Sequence, residues 1–280
     1  MFKRSNVSYN ISSELIANEL KSKNGPINQI SLMIPSGAKV LDIGAGNGIL
    51  AILLQKKLSD LTIDGIEPNP YAAELARSNY RHFYIGFCQE FFDIIARENY
   101  DFIILADVVE HMADPLEFLT ALGSILSHKT KIILSTPNIA FGAIKLALLK
   151  GHFNYSDSGI LERTHLRFFT LETLQALVSN SGLNIEKVVF LQRSFLKSET
   201  RIEDLKISPF LFYAVKKDPM SFTYQFLLIL SKESSSIERI FVRDIDRFLY
   251  LRYMVLRHGN NPLVKLLKRV YTTIRGNTTR

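Results

Sequence analysis

A single cysteine, Cys88, in 280 residues excludes a disulfide within the chain and makes a reducing compartment the expected setting. Long apolar runs are missing too. Stretches such as FLLIL at 226–230 fall far short of the roughly 20 residues that a membrane-spanning helix needs. The opening residues, MFKRSNVSYNISS, are basic without the apolar stretch of a secretory leader. No internal repeat or low-complexity tract is evident. Residues 247–280 lack acidic side chains: they hold eight Lys or Arg and no Asp or Glu. The chain has 34 basic and 27 acidic residues, so the rest holds 26 against 27, a balance of −1. The basicity belongs to the tail. The main body lacks the excess that a nucleic-acid groove requires, and nucleic acid is not an expected partner.

What is present is ordinary for a globular chain: 47% hydrophobic and 22% charged residues, at a length for one large domain or one domain with an appendage. Residues 11–23 have the spacing of an amphipathic helix, broken by NGP at 24–26. Short apolar strands then alternate with helices. AKVLDIG, LTIDGIE, HFYIGF, YDFIILA and TKIILSTP read as five strands, with helices at 48–58, 70–80 and 114–127. A helix in LETLQALVSNSG precedes two last strands, NIEKVVFLQ and PFLFYAVKK. That alternation predicts a parallel sheet with helices on both faces. KKDP at 216–219 marks a boundary, dividing the chain into 1–217 and a helical, basic extension over 218–280.

VLDIGAGNG at 40–48 joins the first strand to its helix. Gly44, Gly46 and Gly48 allow a sharp turn and close approach of a ligand to the backbone. Asp42, just before them, would repel a phosphate and attract an ammonium. Glu67, 23 residues past Gly44 at the end of the second strand, stands where an acid can accept both hydroxyls of a ribose.

VLDIGAGNG, GIEPNP, YDFIILADVVEHMADP and STPN, in that order, resemble the class I S-adenosylmethionine-dependent methyltransferases over about residues 30–217. The resemblance implies a Rossmann-like α/β fold with a seven-stranded, mostly parallel sheet whose last strand is antiparallel. It implies that Asp42, Gly44 and Gly46 hold the methionine part of S-adenosylmethionine and that Glu67 holds the ribose. The family often has an acid after the third strand, near the adenine amine. Here GFCQEFF offers Phe87 for stacking and Gln89 for hydrogen bonding instead, with Cys88 as a small buried filler.

Asp107, Glu110 and His111 follow the fourth strand, at the carboxyl end where ligands of parallel sheets collect. Three readings compete. They are turn residues before the helix that Asp114 and Pro115 start; or His111 or Glu110 is a general base; or the group holds a divalent cation. His165 in LERTHLRFFT is a further candidate, before a helix starting near Thr170. The stretch resembles the E-x-x-E-H metal motif of ubiquinone-pathway O-methyltransferases and small-RNA 2′-O-methyltransferases. Carried over, Asp107, Glu110, His111 and His165 would be the ligands, of Mg²⁺ or Mn²⁺ rather than Zn²⁺, with Asp107 also beside the cofactor.

Residues 137–170, PNIAFGAIKLALLKGHFNYSDSGILERTHLRFFT, resemble bacterial methyltransferases of surface-polysaccharide assembly. A buried helix at 139–150 and a polar, aromatic lid are expected there, with Tyr155, Asp157, Arg163 and Arg167 available to a polyol or phosphate, or as ion-pair partners. This resemblance implies a hydroxyl of a sugar or lipid-linked glycan as the acceptor. A quinone-like phenol, an RNA 3′ end and a non-catalytic cofactor-binding scaffold stand as alternatives. After Pro262, Leu263, Leu266, Leu267, Val270, Tyr271 and Ile274 share a helical face with basic residues between them. Such a helix packs on the domain or rests on an anionic membrane. The expected location is cytoplasmic, with peripheral contact to the inner membrane face through this tail.

Overall fold

Alternate residues of the apolar strands enter two different cores. The computed structural model describes residues 12–243 apart from Lys23. Its elements are α1 (Ser13–Lys21), α2 (Pro26–Ser31), β1 (Lys39–Ile43), α3 (Ile49–Lys57), β2 (Thr62–Glu67), α4 (Pro70–Ala76), β3 (Phe83–Ile85) and α5 (Phe92–Glu98). They continue with β4 (Phe102–Ala106), α6 (Pro115–Ile125), β5 (Lys131–Pro137), α7 (Gly142–Leu148), α8 (Leu171–Asn180), β6 (Asn184–Gln192), α9 (Pro209–Lys217), β7 (Thr223–Ser231) and β8 (Glu238–Val242). On one face, Leu41, Ile103, Leu105, Ile132 and Leu134 pack with Ile95 of α5, Phe118 and Leu122 of α6 and Leu174 of α8. On the other, Val40, Ile104 and Ile133 pack with Ile30 of α2 and Leu50, Ala51 and Leu54 of α3. The pleat's period of two does the sorting. Each such side chain contributes about 1.5–3 kcal/mol when fully buried.

The strand order is β3-β2-β1-β4-β5-β7-β6-β8. β7 runs antiparallel to β5 and β6, and the remaining pairings are parallel. The Rossmann-like α/β expectation therefore stands, with eight strands in place of seven.

The second of the two expected last strands is a helix. PFLFYAVKK forms α9, because the Ser208 side chain accepts from the Leu211 N–H and Pro209 occupies the first turn. Phe212 and Val215, three apart, are the buried pair. The strand that takes its place, β7, lies beyond Lys217. The sheet therefore runs through the expected boundary at 217/218, and 218–243 is not helical extension: it supplies a central strand and the edge strand β8. The basic amphipathic helix expected after Pro262 lies outside the described residues. No helix among the described residues is long and apolar enough to cross a membrane.

A third core joins α7 and α9 to Ile160, Leu161, Phe195 and Ile202. Gly142 matters here, since a Cβ on it would lie 2.2 Å from Cζ of Phe195. The buried helix expected at 139–150 is the shorter α7. The parallel strands bring their carboxyl ends to one edge of the sheet. β7 runs the other way, so its first residues, 223–225, reach that same edge.

Candidate functional site

The turn after β1 needs its glycines. Gly44, Gly46 and Gly48 have φ of 75°, 53° and 83°, a left-handed region costly to other residues. A Cβ on Gly44 would also lie 2.8 Å from a methyl of Val108, whereas one on Gly46 would meet nothing within 4 Å. The Glu67 carboxylate ties this turn to the next strand: it accepts from the N–H of Gly46 at 2.8 Å and from the N–H of Asn69 at 2.8 Å.

Two cavities meet at this turn and share Gly44 and Asp107. One, of about 680 Å³, is lined among others by Glu67, Phe87, Gln89, Asp107, His111 and Glu162. The other, of about 330 Å³, is lined by Asp42, Gly46 and Asn47 and bounded by Glu19 of α1 and Ile30 of α2. Together they form a bent cleft within the size range of small-molecule sites. Phe87 is 67% exposed and Cys88 is buried. The Phe87 ring is therefore available to a ligand rather than spent on the core. The residues lining the cleft fit S-adenosylmethionine: an acid placed for a ribose, a ring and an amide beyond it, and an acid with open glycine backbone at the other end.

Two buried acids of the first strands have opposite fates. Burial acts to raise the pKa of Asp64. Hydrogen bonds from Arg81, Tyr100 and the His82 N–H outweigh it and hold the group below the usual range. Asp42 has one such partner, the Tyr80 hydroxyl, which donates to it at 2.7 Å. Burial dominates there, Glu67 adds like charge, and the Asp42 pKa is raised to about 7. A carboxyl whose folded pKa lies above its unfolded value stabilises the fold most below the unfolded pKa, and that contribution is lost as pH rises through the interval up to the folded pKa. A rise of this size corresponds to roughly 4 kcal/mol. An asparagine side chain would accept from Tyr80 without titrating. The stability of ligand-free Asp42→Asn relative to wild type, from urea unfolding, is therefore expected to climb steadily from about pH 4 and to level off above about pH 7. A difference that stays flat over that window would show Asp42 already ionised at its lower end.

Asp107 has φ of 56° without being glycine, the sort of strained position that clusters at functional sites. Its Oδ1 accepts from the Ser135 hydroxyl at 3.0 Å and from Nε2 of Gln225 at 2.6 Å. Ser135 opens the STPN motif without a role being read for it, and Gln225 is not marked by the sequence pattern at all. Gln225 lies in β7, in a stretch that pattern assigns to the helical extension. Asp107 stays open to the cleft; the surrounding walls raise its pKa, against the Ser135 and Gln225 hydrogen bonds that lower it.

Glu110, His111 and His165 each offer a ligand atom, all within 4.8 Å of one another. Glu162 is not in that group, and of the four expected ligands neither is Asp107. Its shorter side chain is turned to Ser135 and Gln225. Glu110 is 1% exposed, and neither of its carboxylate oxygens has a hydrogen-bond partner. Burial first, then the Asp107 charge, pushes its pKa well above the usual carboxylate range. Nδ1 of His111 lies 3.2 Å from the Thr164 carbonyl, and Nδ1 of His165 lies 3.0 Å from the Ile160 carbonyl. A carbonyl only accepts, so each Nδ1 carries the hydrogen and each Nε2 keeps its lone pair. Burial and then His165 lower the His111 pKa, which favours the neutral ring. An orphaned carboxylate beside two available imidazole nitrogens fits a divalent cation.

The lid residues divide differently. Arg163 pairs with Asp157 at 3.1 Å on the open surface, and Arg167 donates to the Ala113 carbonyl. None of Tyr155, Asp157, Arg163 and Arg167 lines either cavity. Glu162 and Thr164 do line the larger one, and sequence reasoning passes over both although they stand one to three places before His165.

Residues 18–188 match a protein family described as "Methyltransferase domain". The ubiquinone biosynthesis O-methyltransferase of Xanthomonas axonopodis pv. citri is 25% identical over 195 residues, covering 65% of this chain and 77% of that one. The protein of the same name from Azorhizobium caulinodans is 28% identical over 183 residues, covering 61% and 69%. A solved S-adenosylmethionine-dependent methyltransferase from Thermotoga maritima shares the fold, with a TM-score of 0.52 at 18% identity, over 78% of this chain and 92% of that one. The family match spans more than half of the chain, which therefore belongs to the methyltransferase-domain family and is an S-adenosylmethionine-dependent methyltransferase.

Proposed function

We propose that the chain is an O-methyltransferase acting on a quinone-like phenolic hydroxyl, with S-adenosylmethionine lying along the bent cleft. The observation that carries this reading is the cluster of Glu110, His111 and His165 beside that cleft. It puts an unpartnered carboxylate and two imidazole Nε2 lone pairs where a hydroxyl proton must go. The sulfonium of S-adenosylmethionine supplies an electrophilic methyl group. Glu67 holds the ribose hydroxyls, Asp42 faces the ammonium end, and Phe87 and Gln89 receive the adenine. As the acceptor oxygen takes the methyl group, its proton passes to the Nε2 lone pair of the neutral His111 ring; were that lone pair given to a cation, the proton would already have left to solvent. Glu110, His111 and His165 would hold a hard cation such as Mg²⁺ or Mn²⁺, whose chemistry is to lower the hydroxyl pKa.

Two observations favour a phenol. The sequence relatives carry the name ubiquinone biosynthesis O-methyltransferase. The larger cavity is lined by Ile43, Ile66, Phe87, Val108, Met112 and Phe118, with acids at Glu67, Asp107, Asp114, Glu117 and Glu162 and with no Lys or Arg. An acid-rimmed apolar cavity repels an RNA end or a lipid phosphate. A glycan hydroxyl is the second reading, favoured by the partly exposed Phe153 and Tyr155 rings, 5.5 Å apart on the lid, which suit a sugar face. The test is S-adenosylhomocysteine formation over a panel of catechols, quinols, glycans, RNA ends and amines, before and after exhaustive EDTA treatment. Turnover on phenols that falls about 10²-fold or more with chelation and returns with Mg²⁺ or Mn²⁺ is expected. Turnover on amine acceptors alone would overturn the O-methyl reading; chelation without effect would remove the cation.

A further inference from the structure

We propose that Glu162, not Asp107, is the second carboxylate of the cation site. This inference rests on the cation reading above and assigns a residue that the motif resemblance does not reach.

Asp107 sits where the resemblance expects a ligand, but its Oδ1 is occupied twice over, by Ser135 and by Gln225. Both donors are side chains, the Ser135 hydroxyl from β5 and the Gln225 amide from β7, two strands that pair with each other. Turning Asp107 toward Glu110 would cost both hydrogen bonds.

Glu162 also lines the larger cavity. Its Oε2 is 4.0 Å from Nε2 of His165, the nitrogen left free by the Ile160 contact. Its Oε1 accepts from the Thr164 hydroxyl at 2.7 Å, and that hydroxyl lies 3.1 Å from Nδ1 of His111. Thr164 therefore links Glu162 to the same imidazole that faces the site. The stretch that carries Glu162 is also pinned in register. The N–H groups of Leu166 and Arg167 both donate to the Glu110 carbonyl, at 2.8 and 3.0 Å, and Ile160 N–H donates to Glu199 at 2.7 Å. The backbone thus delivers Glu162 and His165 together against Glu110. Two carboxylates and two imidazoles form a hard oxygen and nitrogen set suited to Mn²⁺ or Mg²⁺. The buried, unpartnered Glu110 is the independent sign that a positive ligand belongs there.

Mn²⁺ titration of the full chain tests this by calorimetry and by water-proton relaxation, neither of which needs turnover. Glu162→Gln keeps an oxygen to accept from Thr164 while removing the charge. It is expected to weaken Mn²⁺ by about 10–100-fold and to add a water to the bound ion, with S-adenosylhomocysteine affinity unchanged. Asp107→Asn is expected to stay within about threefold of wild type for Mn²⁺. Glu162→Asp, which retains the charge, should recover part of the affinity. Full Mn²⁺ affinity in Glu162→Gln with loss in Asp107→Asn would overturn the assignment while leaving the cation reading intact. Absence of Mn²⁺ binding to wild type at millimolar concentration would overturn both.

Discussion

Glu67→Ala is expected to weaken S-adenosylhomocysteine binding by about 10²–10³-fold, measured by calorimetric titration. A hydrogen bond to a charged group contributes about 1.5–3 kcal/mol, and a carboxylate gripping a ribose makes two. Two such bonds come to about 3–6 kcal/mol, and the lower part of that range, at about 1.4 kcal/mol per decade, gives the stated weakening. Part of it arises before any ligand arrives. The same carboxylate accepts from the N–H of Gly46 and of Asn69, so alanine leaves both donors unpaired and loosens the glycine turn. Glu67→Gln separates the two effects, because its carbonyl can retain one backbone donor while the charge is lost. Intermediate weakening with a near-normal Tm is expected for Gln, and a lower Tm for Ala. Affinity unchanged in both variants would remove Glu67 from the cofactor site and with it the placement of the nucleoside in this cleft.

The second large effect is on turnover. His111→Ala and Glu110→Gln are each expected to lower kcat by about 10²–10⁴-fold while leaving S-adenosylhomocysteine affinity near wild type. Groups that act as one unit are strongly non-additive, so the double variant should lose little more than either single one. A double variant whose loss equals the product of the two would mean that the residues act independently. Stability should move the other way for Glu110. An orphaned buried carboxylate is costly, and glutamine carries no charge into that place. Ligand-free Glu110→Gln is therefore expected to melt no lower than wild type by calorimetry. A clear drop in Tm would show that the native carboxylate has a partner in the resting protein.

Much of this protein is legible without coordinates. The strands from β1 to β6 follow from short apolar runs that alternate with helical stretches and are broken by turns, although α2 and α5 lie outside that pattern. The acids and glycines at 42–48 and 67 follow from what a sharp turn and a ribose demand. The reading fails at α9 and β7 for a definable reason. PFLFYAVKK is a short run with apolar side chains on both sides, and a run of that length suits either element. Ser208 and Pro209 decide for the helix, and the strand passes to the apolar stretch that contains FLLIL. Because β7 enters antiparallel between β5 and β6, its first residues land beside the cleft, and Gln225 becomes part of the site.

The amino-acid order alone marked most of the candidate residues, though not Glu162 or Gln225, because a glycine turn, an acid at the next strand's end and a cluster of acids with histidine are local patterns. Only the tertiary structure decided how they are shared out. Asp107 and Glu110 are three residues apart, yet one is held by two strands and the other is buried without a partner. Glu162 and His165 approach Glu110 from more than fifty residues away. A carboxylate's role depends on who donates to it and how much water it keeps, and those are properties of neighbours in space.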